Sequence, residues 1–118
     1  MFKSVEYAGF EGHPELRQLA ERASAALGGV IRTWRDEVHV TWRPARPDSD
    51  AVLEVTLELS LPNAAGSVTG RIRGRDFEPG EEGYLRMSLA DTWLDLLDVL
   101  IAQMEANREE WFADPVEA

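Results

Sequence analysis

Val52–Leu61 alternates, strictly so over the nine residues from Leu53 on: Leu53, Val55, Leu57, Leu59 and Leu61 are apolar, and Glu54, Thr56, Glu58 and Ser60 are polar. A period of two over that length predicts a strand with one wet and one buried face, so the chain must build a sheet and cover one side of it. Val30–Arg43 alternates too, with Trp34, Val38, Val40 and Trp42 on the apolar face beside Asp36. Ser67–Arg75 repeats the pattern, setting Val68 and Ile72 against Thr69, Arg71, Arg73 and Arg75. The connectors Pro44–Asp50 and Pro62–Gly66 are short and rich in turn residues, which favours an antiparallel meander. Gly70 and Gly74 lie inside the third run, where glycine marks a bulge or a close approach.

The cover for the sheet comes from two helical patterns. Val5–Phe10 reads as a first strand, and Gly12-His13-Pro14-Glu15 then opens a helix, because proline at the first helical position lacks only an amide hydrogen that would be unpaired anyway. Leu16, Leu19, Ala20, Ala23 and Leu27 form its apolar stripe, and Gly28-Gly29 is its predicted stop. After a loop over 76–83, Ser88 and Asp91 resemble a capping box. Leu89, Trp93, Leu96, Leu97, Leu100 and Met104 then trace a second amphipathic helix to about Trp111. The expected fold is α+β with the order β-α-β-β-β-α, a four-stranded sheet with both helices packed on one face. It forms a single domain over 1–112 with a short acidic tail over 113–118. Trp34, Trp42 and Trp93 are predicted core residues.

Composition narrows the functional classes. The 118 residues include no cysteine, which excludes disulfides, thiolate metal sites and a cysteine nucleophile. The first residues lack the apolar run of a secretory signal, and Asp91, Asp95 and Asp98 interrupt the most apolar stretch, Leu89–Met104. A cytoplasmic protein outside the membrane is expected. The formal net charge is −10, and it is unevenly placed: residues 30–75 hold seven arginines against six acids, whereas residues 76–118 hold two arginines against twelve acids. Binders of bare nucleic acid draw most of their affinity from phosphate neutralisation and carry the opposite balance.

Site chemistry is correspondingly sparse. His39 lies on an exposed strand face and His13 at a helix start, and neither shares metal-ligand spacing with another histidine. No nucleophile constellation or phosphate-binding glycine loop is present, so no catalysis, metal or cofactor is expected. Arg71, Arg73 and Arg75 project from one side of a strand, with Arg35 and Arg43 expected nearby. They form either an RNA-binding patch or cross-strand ion pairs with Glu37, Glu54 and Glu58. Asp91, Asp95 and Asp98 recur at three- and four-residue spacing on one helix, as either an acidic, solvated face or a cation site, with the solvated face favoured. Trp111 and Phe112 either close the edge of the core or anchor a partner chain.

One local pattern points to a family. Phe10-Glu11-Gly12-His13-Pro14-Glu15-Leu16-Arg17-Gln18, followed by Glu21-Arg22, resembles the start of helix one in the hibernation-promoting factor and protein Y family. Asp98-Val99-Leu100-Ile101-Ala102-Gln103-Met104 is similar to that family's second-helix signature, Asp-Lys-Leu-Glu-Arg-Gln-Leu, and Val52–Leu57 falls where the family has a comparable strand. The resemblance implies the same fold, which is related to the double-stranded RNA-binding domain. It also implies a stress-response role, in which the protein binds the small ribosomal subunit through basic helix residues and inhibits translation. Arg17 and Arg22 are the carried-over RNA contacts, joined by Arg35, Arg43, Arg71, Arg73 and Arg75. Val99 and Ala102 replace the family's lysine and arginine. The alternative is a protein-interaction module on the same fold, in which Asp91, Asp95, Asp98, Trp111 and Phe112 meet a basic protein surface and RNA binding is absent.

Overall fold

The alternating runs pair as their periodicity demands. In a computed structural model that describes residues 1–47 and 49–113, with side chains to residue 106, β2 (Val38–Pro44) and β3 (Ala51–Leu61) are antiparallel. β4 (Ala64–Arg73) adds to β3, also antiparallel, across the two-residue turn Pro62-Asn63. Val38, Val40 and Trp42 stand opposite Leu59, Leu57 and Val55, and all six are buried. β1 (Ser4–Tyr7) lies parallel to β2 at the other edge, so the order is β1-β2-β3-β4. Parallel pairing requires a crossover, and α1 (Pro14–Val30) supplies it.

Both helices lie on the apolar face. α1 contributes Ala20, Ala23 and Leu27, and α2 (Glu82–Ala113) contributes Leu85, Leu89, Trp93, Leu96 and Leu100, to one continuous core. Small residues set the distances. A Cβ on Gly66 would stand 2.7 Å from Cγ1 of Val99, and one on Gly70 would stand 2.8 Å from Cγ2 of Thr92. The two glycines are what let α2 settle onto β4, the close approach expected of a glycine within a strand.

Several boundaries differ from expectation, each for a physical reason. α1 does not stop at Gly28-Gly29. Neither glycine has a positive φ, and the helix runs on to Val30, where Ile31 turns extended while its N–H still reaches the Leu27 carbonyl at 3.0 Å. The helix thus ends at the buried, extended Ile31 rather than at the glycines. β2 starts at Val38 rather than Val30, because Trp34 takes a left-handed conformation (φ 60°) and caps a 3₁₀ turn over Arg35–Glu37. Trp34 is therefore 41% exposed instead of core, unlike Trp42 and Trp93. Asp36 on the apolar parity was the sign that the alternation did not extend that far.

The segment after β4 is also more ordered than a loop. A second 3₁₀ turn, Gly74–Phe77, buries Asp76 and Phe77, and α2 opens at Glu82. Ser88 and Asp91 thus lie inside α2 and form no capping box. Ser88 Oγ instead donates to Oδ2 of Asp76 at 3.2 Å, and that same oxygen accepts the Arg73 N–H, also at 3.2 Å. Ala113 belongs to α2, while the tail from residue 114 onward lies outside the described residues. No helix among the described residues is long and apolar enough to cross a membrane.

Candidate interaction surface

The arginines of helix one are held by their own molecule. Arg17 pairs with Glu21 at 3.3 Å and lies over the Tyr7 ring, 4.8 Å from its centroid. Arg22 donates to the Phe77 carbonyl at 3.3 Å, meets Oε1 of Glu82 at 3.5 Å and covers the Phe77 ring. It thereby ties α1 to the 3₁₀ turn and to the start of α2, which is a bracing role.

The sheet arginines divide by register. Arg43, Glu54 and Arg71 form one row across β2, β3 and β4, with Arg71 4.0 Å from Glu54. Arg73 pairs with Asp50 at 3.7 Å. These exposed pairs are the cross-strand kind that contribute less than about 1 kcal/mol each. Glu58 stands opposite His39 and Ser67, so it does not serve the arginine row. Arg35 is not near the patch. Its 3₁₀ turn precedes Val38, which pairs with Leu59, five strand residues or about 17 Å from the Glu54 row. Arg75 leaves the strand altogether and sits in the second 3₁₀ turn.

The rest of the open sheet face is a polar carpet. Thr56 and Thr69 share a hydroxyl hydrogen bond of 2.9 Å, and His39 Nδ1 meets Ser4 Oγ at 2.6 Å. His13 occupies the N-cap position of α1, but its side chain makes no capping hydrogen bond. No group of three or more histidine, aspartate or glutamate side chains among the described residues is arranged to hold a metal ion.

α2 brings the remaining charges into play. A groove of about 260 Å³ where β4 meets α2 is lined by Arg71, Arg73 and Arg75 together with Asp91 and Asp95. It opens at Arg75 into a cleft of about 420 Å³ lined by Asp76, Glu78, Glu81, Asp91, Tyr84 and Met87, so four carboxylates there face one guanidinium. Three arginines and two aspartates that the sequence places in separate candidate sites thus line one groove. Asp91, Asp95 and Asp98 are exposed and have no ion-pair partner among the described residues. The side chains of Trp111 and Phe112 lie outside the described ones.

The outer face of α2 also carries apolar side chains that the sequence reading passed over. Met87, Leu94 and Ile101 are 61%, 54% and 51% exposed, and Tyr84 is 56% exposed. The seven-residue spacing of Met87, Leu94 and Ile101 is legible in the sequence, but the same helix has a more obvious inward stripe. A small α+β domain with a polar sheet face and an acidic, apolar-ridged helix is the class that this fold and surface define. No protein-family model, curated protein or solved structure matches the chain.

Proposed function

We propose that this domain is a protein-interaction module whose second helix meets a basic surface on a partner protein. The observation that carries the reading is the exposed carboxylate row Asp91, Asp98 and Glu105 on α2, none with an ion-pair partner among the described residues, while Asp91 and Asp95 also line a groove shared with Arg71, Arg73 and Arg75. A phosphate approaching those arginines also approaches two carboxylates, and like charges at contact range oppose binding even after screening. Arg17 and Arg22, the arginines that the family resemblance carries over, are already engaged within the chain. The exposed aspartates of α2 are unengaged, and cationic groups of a partner complement them.

A second reading keeps the hibernation-type role, with the small ribosomal subunit as partner. It is favoured by Arg43 and Arg75, which are exposed and form no ion pair among the described residues. Sedimentation of tagged protein from stationary-phase lysate at low and moderate salt separates the two. The interaction-module reading expects the protein to stay out of ribosomal fractions at low salt. Salt-sensitive co-migration with small subunits, abolished by Arg43→Glu with Arg75→Glu, would overturn it.

A further inference from the structure

The chemistry of α2's outer face also fixes the shape of what covers it. Met87, Leu94 and Ile101 recur every seven residues, so they drift only about 20° per step and form one nearly straight ridge. Asp91, Asp98 and Glu105 recur at the same interval beside it, all exposed. The core stripe, Leu85, Leu89, Trp93, Leu96 and Leu100, occupies the opposite side of the helix. α2 is therefore apolar on two faces, and the described residues cover one of them.

Seven helical residues rise about 10.5 Å, and the ridge runs for two such steps, or about 21 Å. A partner strand advances about 10 Å in three residues, but an odd step puts successive contacts on opposite faces. A polyproline helix repeats every 9.3 Å or so and falls out of step by about 2 Å over the ridge. A second α-helix, packed near-parallel, repeats on the same seven-residue period and keeps register throughout. The flanking carboxylates then select its charge, because residues beside an apolar seam choose partners by complementary sign. A second copy of α2 would set aspartates against aspartates along the seam.

From this we infer that the outer face of α2 docks a cationic amphipathic α-helix of a partner protein, with apolar residues on Met87, Leu94 and Ile101 and lysines or arginines against Asp91, Asp98 and Glu105. The inference rests on the interaction-module reading and adds the partner's secondary structure and register.

The test uses the full chain and two synthetic peptides of identical composition. One is a three-heptad helix former with leucine on the seam and lysine beside it. In the other the leucines are moved off the seven-residue period. Isothermal titration at low salt, with circular dichroism, reads both. The expected result is binding of the periodic peptide with a gain in helicity, and binding of the shuffled peptide about tenfold weaker or less. Leu94→Asp and Ile101→Asp should each weaken the periodic peptide about tenfold, as for an apolar anchor at the centre of an interface. Both positions are half exposed, so unchanged melting temperatures certify the fold. Equal affinity for the two peptides overturns the helix inference while leaving a basic partner in place. Binding of neither overturns the basic-partner reading as well. A dimer of the chain alone that Leu94→Asp dissolves assigns the ridge to a second copy and overturns the inference.

Discussion

The Thr92 hydroxyl stands where a side chain on Gly70 would begin, so α2 and β4 touch through a glycine on one side and a threonine on the other. Thr92 is buried and holds its hydroxyl back onto the Ser88 carbonyl at 3.1 Å, which leaves it little room to withdraw. Gly70→Ala should therefore cost about 2–3 kcal/mol, the upper part of the range for overpacking a filled core. Adding Thr92→Ala should recover part of that loss, because it removes the two atoms nearest the new methyl. Urea denaturation of the two variants checks both statements, and an unchanged midpoint for Gly70→Ala would contradict the packing.

The glycines inside α1 should respond in the opposite direction. Gly28 and Gly29 have helical backbones, and a Cβ at either meets nothing within 4 Å. Gly28→Ala and Gly29→Ala should each raise stability by about 0.5–1 kcal/mol, because alanine loses less backbone freedom on folding into a helix. A destabilised variant at either position would place the end of the helix before Gly28.

Trp34 and Trp42 should separate sharply. Trp34 is half exposed at a positive φ, where an L-residue costs about 1–2 kcal/mol, so Trp34→Gly should leave stability unchanged or slightly higher. Trp42 is fully buried, and Trp42→Ala should cost about 3–5 kcal/mol. Thermal melts of the pair provide the check. The buried indole Nε1 of Trp42 meets no hydrogen-bond partner among the described residues.

Asp76 holds the turn between β4 and α2. Its Oδ2 accepts from both the Arg73 N–H and the Ser88 hydroxyl in a largely buried setting. Asp76→Ala strands those two donors and should cost about 2–3 kcal/mol. Chemical denaturation measures it, and a loss below 0.5 kcal/mol or so would show that the contacts contribute little, as exposed polar substitutions usually do.

Much of this architecture could be read from the chain because burial and period coincide. Leu53, Val55, Leu57 and Leu59 alternate with polar residues and are buried, and the Pro14 helix start stands where the sequence put it. The misreadings share one cause: local signals were overruled by tertiary contacts that a single sequence does not display. Gly28-Gly29 reads as a stop, but the helix runs through both to Val30 and ends at the buried, extended Ile31. Ser88 and Asp91 looked like a cap, but Ser88 serves Asp76 across a turn. The site was legible as two charge sets. Their meeting in one groove was not, since it depends on α2 settling over Gly66 and Gly70. The Met87, Leu94 and Ile101 ridge was present in the spacing, but only the burial of the other helix face shows that it is left open.

The claim that α2's own carboxylates, rather than bulk acidity, recognise a cationic partner is tested most directly by two variants of equal charge. In one, Asp91, Asp95 and Asp98 become asparagine. In the other, the exposed Glu6, Glu11 and Glu15 become glutamine. Fluorescence anisotropy with a lysine-rich helical peptide at low salt should show the first variant weakened about tenfold, since three exposed pairs at roughly 0.5 kcal/mol each amount to that factor. The second should change less than about twofold, because Glu6, Glu11 and Glu15 lie on β1, before α1 and on α1, and none belongs to α2. Equal weakening of both would reduce the interaction to net charge and contradict the account.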